Sequence, residues 1–139
     1  MKQLDRWFRV ASWLAMSGWL ILALGPTWKW TPQVVGVLVV GLLGALYIWL
    51  LLFARPADVP QPRGSFFTFS GVLRLLSNPR AALVAWIHIL AFDLMAALWI
   101  RADAELHGIT HYWLLPIYGL TLMFGPAGLL AYYVLRLMI

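Results

Sequence analysis

Residues 86–111 read WIHILAFDLMAALWIRADAELHGITH, and they hold all three histidines and three of the five acidic residues of the chain. The first part of this stretch is an apolar run long enough to enter a bilayer, yet His88 and Asp93 sit inside it. An ionisable side chain at bilayer depth costs about 2.5–3.5 kcal/mol on insertion scales, so it is a functional candidate by default. The segment is the expected working helix of a small membrane protein.

The totals agree. Of 139 residues, 63% are hydrophobic and 11% charged, where a soluble domain has roughly 45–50% and about 25%. The mean hydropathy is +0.85. Nine tryptophans fit the aromatic belts found at membrane interfaces. The net charge is +5, but the cations lie mostly between apolar runs. That pattern points to topology and anionic headgroups, with membrane lipid as the partner and no nucleic acid. There is no cysteine, so disulfides, thiolate catalysis and Cys-ligated metals are excluded. The basic start runs into an apolar stretch without a small-residue cleavage site, and no Arg/Ser-rich transit peptide precedes it. The expectation is a retained first span in a bacterial inner (cytoplasmic) membrane.

Working outward from 86–111, hydropathy predicts an all-α, integral-membrane four-helix bundle in one domain, with spans near 8–24, 33–53, 80–100 and 112–135. Gly25-Pro26 ends the first span, because Pro cannot continue the hydrogen-bond ladder. Gly36, Gly41 and Gly44 in the second offer small surfaces for close helix contact. Pro56, Pro60, Pro62 and Gly64 mark an irregular linker. The following stretch, 65–76, is too short to span and reads as an interfacial or re-entrant helix. Asn78-Pro79 is a cap followed by a first-turn Pro and opens the third span. Residues 101–111 then read as a polar connection, and Gly125-Pro126 as a kink within the fourth span.

With four spans, Lys2, Arg6, Arg9, Arg55, Arg63, Arg74, Arg80 and Arg136 share one side, against Lys29 and Arg101 on the other. The positive-inside rule then places both termini in the cytoplasm. The sequence leaves a homo-oligomer open.

Three groups of residues are candidates for chemistry. His88 and Asp93 lie about 140° apart around a helix, so they cannot readily bond each other along it. Each sits on an apolar, aromatic-rich stripe, with Phe92 and Trp99 beside His88 and Trp86 beside Asp93. That suits a long hydrophobic ligand with one reactive polar end, and burial would tune both groups for acid–base work. Asp103, His107 and His111 recur every four residues and would form a metal-ligating face on one unbroken helix, which Gly108 weakens. No phosphate-binding glycine loop, Gly-x-Ser-x-Gly elbow or His-Glu-x-x-His is present.

The motifs WIHILAFDL at 86–94, RADAELHGITH at 101–111 and LTLMFGPAGLL at 120–130 are similar to the neoxanthin-synthase-like, or abscisic-acid-deficient-protein, family of small four-helix membrane proteins. The matching positions are Trp86, His88, Phe92, Asp93, Asp103, Phe124, Gly125, Pro126 and Gly128. Plant members are implicated in converting the carotenoid epoxide violaxanthin into the allenic neoxanthin. The resemblance therefore implies a cofactor-independent isomerase or related enzyme acting on a carotenoid or isoprenoid lipid. Epoxide-to-allene isomerisation needs an acid for the epoxide oxygen and a base for a neighbouring chain proton. Asp93 and His88 are the implied pair, with Asp103 as a third candidate. Trp86, Phe92, Phe124, Gly125 and Pro126 are the implied wall for a carotenoid-like ligand, joined by Trp99 from the aromatic stripe, with no cofactor. Two alternatives stand beside it. One is a non-catalytic pigment- or lipid-binding subunit of a membrane complex. The other is a metal-dependent lipid hydrolase using Asp103, His107 and His111.

Overall fold

The computed structural model describes residues 1–53 and 64–139. The proline-rich stretch read as an irregular linker, with Arg55 and Arg63, lies outside the described residues up to Gly64. The described chain is all-helical: α1 (Lys2–Leu24), α2 (Gln33–Phe53), α3 (Phe69–Ser77), α4 (Pro79–Leu106), α5 (His111–Met123) and α6 (Gly125–Met138). The helices α1, α2 and α4 are long and apolar enough to cross a membrane.

Each boundary follows from local chemistry. Helix α1 runs from the basic N-terminal turns to Gly25, whose N–H donates to the Ile21 carbonyl at 2.9 Å, and Pro26 stops it there. The Thr31 hydroxyl closes the turn by donating to the Gly25 carbonyl at 2.9 Å. The first eight residues of α2, Gln33–Val40, are wound as a π-helix, which widens the turn that buries Val35 and Val39. Helix α3 is capped by Thr68, whose hydroxyl accepts from the Gly71 N–H at 3.0 Å. Asn78 Oδ1 accepts from the N–H groups of Arg80 (2.9 Å) and Ala81 (3.4 Å), with Pro79 in the first turn, so the expected cap forms.

Helix α4 does not stop near residue 100. Ala102, Ala104, Glu105 and Leu106 are good helix formers with no breaker before Gly108. The 28-residue helix is therefore about 42 Å long, and Arg101, Asp103 and Glu105 lie on it. Gly108, at φ +66°, takes the left-handed position that ends it.

The fourth span is the main correction. Residues 112–135 form no single helix; Phe124 leaves helical geometry (φ −144°, ψ 74°) and the chain doubles back. Pro126 lacks the N–H an unbroken helix would need, and the chain accommodates it in the first turn of a new one. The result is a hairpin of two helices of 13 and 14 residues, each about 20 Å long. Gly128 permits the crossing, because a Cβ there would lie 2.5 Å from the backbone N and Cα of Thr121. The four-helix bundle is thus replaced by three long helices and a half-depth hairpin.

The hairpin also overturns the shared side for the termini. Helices α1 and α4 are parallel. Leu4 and Phe8 face Ala82 and Trp86 at one end, and Arg101 reaches the Pro26 carbonyl at the other. Helix α2 is antiparallel to them, and Arg80 Nη2 donates to the Leu51 carbonyl at 3.1 Å. Arg136 pairs with Asp103, near the far end of α4. The N- and C-termini therefore lie at opposite ends of the bundle.

Lipid tails are as apolar as leucine, so the bundle rests on close packing rather than on escape from water. Gly18 lets α1 approach α2 and α4, since a Cβ there would meet Val39 at 3.1 Å and Leu94 at 3.2 Å. Leu22, Leu43, Leu50, Ile87, Leu94 and Ile100 fill the centre. Of the three small positions in α2, only Gly36 makes such a contact, with Leu98 at 3.3 Å; Gly41 and Gly44 face open space.

Candidate functional site

Two carboxylates on α4 meet α6, one at each end of it. Asp93 is the fifteenth of the 28 residues of α4, midway along the helix. Its half-buried carboxylate lies against Gly125, where a Cβ would sit 2.9 Å from Asp93 Cγ and collide with Oδ1. Only glycine fits there. Asp93 therefore faces the first turn of α6, the positive end of that helix's dipole. Among the described residues it has no hydrogen bond or ion pair from any side chain. The sequence-derived residues Asp93, Phe124, Gly125 and Pro126 thus come together, with Phe124 and Pro126 exposed at the hairpin tip.

His88 does not join them. Its ring stacks on Phe92 at 4.6 Å and lies 6.0 Å from Tyr47 of α2, on an exposed flank. The hairpin covers only the Asp93 side of α4, so the imidazole is left facing outward. Trp86 lies two turns below Asp93 on nearly the same face, about 10 Å along the axis. It pairs with Phe8 at 5.9 Å and lines a groove of about 280 Å³ between the starts of α1 and α4. The groove stops at Trp86, short of the carboxylate. Trp99 stands edge-on to Tyr132 at 5.8 Å and lies 5.6 Å from Tyr133, in the wall between α4 and α6.

Asp103 is the opposite case. Its Oδ2 accepts from the Tyr132 hydroxyl at 2.6 Å and pairs with Arg136 Nε at 3.3 Å. His107 Nδ1 lies 2.7 Å from the Asp103 main-chain oxygen, which can only accept, so Nδ1 carries the proton. In that tautomer His107 Nε2 accepts from Arg136 Nη2 at 2.8 Å. These contacts pin the end of α6 to the end of α4. The sequence reading missed Tyr132 and Arg136. Their spacing of four on α6 was visible, but nothing local placed them beside a residue 29 positions earlier.

His111 is separated from that cluster. Its Nε2 lies 2.9 Å from the Ala23 carbonyl, across the bundle on α1. The left-handed turn at Gly108 breaks the four-residue register that would have lined it up with Asp103 and His107. Among the described residues no three His, Cys, Asp or Glu side chains are grouped to hold a metal. Arg136, a cation, occupies the position beside Asp103 and His107 that such an ion would need.

The comparisons with known proteins bear on the whole chain. Neither the curated proteins nor the solved structures contain a match. A family model described as ABA DEFICIENT 4-like matches residues 6–132, taking in α1 and α2, which the quoted motifs alone did not mark. An all-helical chain with three membrane-length helices and a carboxylate seated against the Gly125-Pro126 turn thus belongs, over nearly its full length, to the ABA DEFICIENT 4-like family.

Proposed function

We propose that this protein binds a carotenoid or related isoprenoid lipid along the membrane-facing side of α4 and isomerises it, with Asp93 as the proton-transfer group. The observation that carries the reading is the seating of Asp93. A carboxyl group stands midway along a membrane-length helix, against a helix N-terminus, with no side-chain partner among the described residues. Such a group costs free energy where it is, which substrate chemistry would account for.

The ligand is an extended apolar molecule. Phe92 and Trp99 offer an exposed aromatic strip along α4, and Phe124 stands exposed at the hairpin tip. The apolar groove at Phe8 and Trp86 lies on nearly the same face of α4 as Asp93, nearer the N-terminal end. A carotenoid is about as long as the roughly 30 Å hydrocarbon layer. In the acid form Asp93 donates its proton to an ether oxygen at the end of the polyene. As the carbon–oxygen bond opens, the resulting carboxylate takes a proton from the adjacent chain carbon. The product is an isomer of unchanged mass, and no redox cofactor is consumed.

Lys2, Arg6, Arg9, Arg74 and Arg80 cluster at the end of the bundle holding the N-terminus, against Lys29, Arg101 and Arg136 at the other. The positive-inside rule puts the N-terminus in the cytoplasm of a bacterial cell and the C-terminus outside. Helix α3 and the bend before it, with Phe66, Phe67 and Phe69 exposed, lie in the cytoplasmic interface of this reading.

A second reading is a pigment-binding subunit without catalysis. The outward position of His88 favours it, because the acid and base expected as a pair are not assembled. Expression in a host that accumulates epoxy-carotenoids separates the two. The catalytic reading expects a new pigment of equal mass on chromatography, absent with Asp93→Asn. An unchanged pigment profile, with pigment still bound to the purified protein, would leave only the binding role.

A further inference from the structure

A second polar site lies at the far end of the bundle, away from Asp93 and independent of the reading above. Its centre is Arg101. This residue is only 7% exposed, although guanidinium groups are seldom buried without full pairing. Its contacts all leave from one nitrogen. Nη2 donates to the Pro26 carbonyl at 3.2 Å and pairs with Glu105 Oε1 at 2.9 Å. The buried Nε has no partner. An orphaned donor on a buried cation costs more than an ordinary unpaired group.

Beside Arg101 is a pocket of about 100 Å³, lined also by Pro26, Glu105, Ile109, His111 and Leu114. One wall is the first turn of α5. The Thr110 side chain makes no capping hydrogen bond there; its carbonyl takes the Trp113 N–H at 3.1 Å, which leaves the N–H groups of His111 and Tyr112 uncapped in this 13-residue helix. A helix N-terminus and a buried, underpaired arginine therefore meet at one cavity. Both favour an oxyanion, the first through its N–H groups and dipole, the second through charge-assisted hydrogen bonds. The ring of Tyr118 lies 6.0 Å from that of His111, and its buried hydroxyl also has no partner. The volume leaves room for one tetrahedral oxyanion or for several waters, each needing at least about 10–15 Å³. Trp28 and Trp30 are exposed on the same turn as Pro26, which sets the pocket at headgroup level.

We propose that this pocket is an oxyanion-binding site that holds a phosphate group, from a lipid headgroup or from free phosphate, on Arg101 and the first turn of α5. Glu105, 60% exposed on its side chain, acts as a displaceable counter-ion that swings out when phosphate enters.

The test is thermal unfolding of the full chain in an uncharged maltoside detergent. Inorganic phosphate is titrated against chloride at matched ionic strength, and dihexanoyl phosphatidic acid below its micelle concentration. The expected result is a saturable rise in Tm, since a ligand that binds only the folded state stabilises it. Arg101→Gln abolishes the rise, and Glu105→Gln tightens binding severalfold by removing the competitor. Leu114→Phe fills the cavity with every charge in place and also abolishes it, which decides the matter if Arg101→Gln does not fold. Lys29→Gln, an exposed cation at the same end, leaves the response unchanged. Tenfold tighter binding of the phosphatidic acid assigns the site to a lipid headgroup, and equal affinities assign it to the free ion. No saturable response to either probe, or one that survives Leu114→Phe, overturns the proposal.

Discussion

Asp93 and Asp103 are ten residues apart on one helix and meet the same neighbour, α6, yet their surroundings differ completely. Asp103 is met by the Tyr132 hydroxyl and the Arg136 guanidinium, and His107 links that guanidinium to the Asp103 main-chain oxygen. Asp93 meets a glycine and no side-chain donor among the described residues. The first is a fastening: each donor that reaches it has been brought there by folding, and its charge is spent on holding two helices together. The second is left available. A carboxylate inside a membrane bundle is therefore read by what reaches it, and the bare residue type says little.

That contrast gives its own tests, beginning with the largest effect. If Asp93 transfers the proton, Asp93→Asn lowers isomer formation at least about 100-fold, the lower bound for general acid–base catalysis. Its stability should change little, because no partner is lost. Pigment chromatography read together with a melting curve checks both halves, and a variant of equal activity removes Asp93 from the chemistry. Next is the hairpin crossing. Gly128→Val forces a side chain into the Thr121 backbone and should cost about 3 kcal/mol through overpacking. Unfolding in a denaturing detergent reads that loss, and a wild-type midpoint would mean the two half-helices do not cross as described. Asp103→Ala strands Arg136 and Tyr132. Breaking a fully buried pair costs about 3–5 kcal/mol. Arg136 is 35% exposed on its side chain and can rehydrate, so about 2 kcal/mol is expected here. Tyr132→Phe removes one hydrogen bond from the same fastening and should cost about 1 kcal/mol. Smallest is His88→Ala, at under about 0.5 kcal/mol, because the ring sits on an exposed flank. A large loss of pigment binding in His88→Ala, with stability intact, would give that histidine a role that Asp93 lacks.

The candidate site was legible where it depended on residue type and depth. His88 and Asp93 stood out as ionisable groups in an apolar run, and Gly125-Pro126 stood out as a breaker in another. That Asp93 and Gly125 touch was not legible, because the contact joins residues 32 apart through a reversal of the chain. The Asp103, His107, His111 face failed at one residue. A four-residue spacing is a helical face only while the helix lasts, and Gly108 ends it. The connection expected from residue 101 onward failed in the other direction. Polarity there suggests a loop, whereas helix propensity and the absence of a breaker carry α4 out to Leu106.

The sequence by itself determined the solvent, the helical class, the three long apolar helices and the Asn78-Pro79 start of α4, because these depend on composition and on neighbours within a turn or two. Only the tertiary structure decided the direction of residues 125–139, and with it the end of the bundle at which the C-terminus lies. A Gly-Pro pair interrupts a helix at similar local cost whether the chain bends onward or folds back. What selects the reversal is the set of bonds from Tyr132 and Arg136 to Asp103 and His107, spanning 29 to 33 positions, and no local pattern records contacts at that separation.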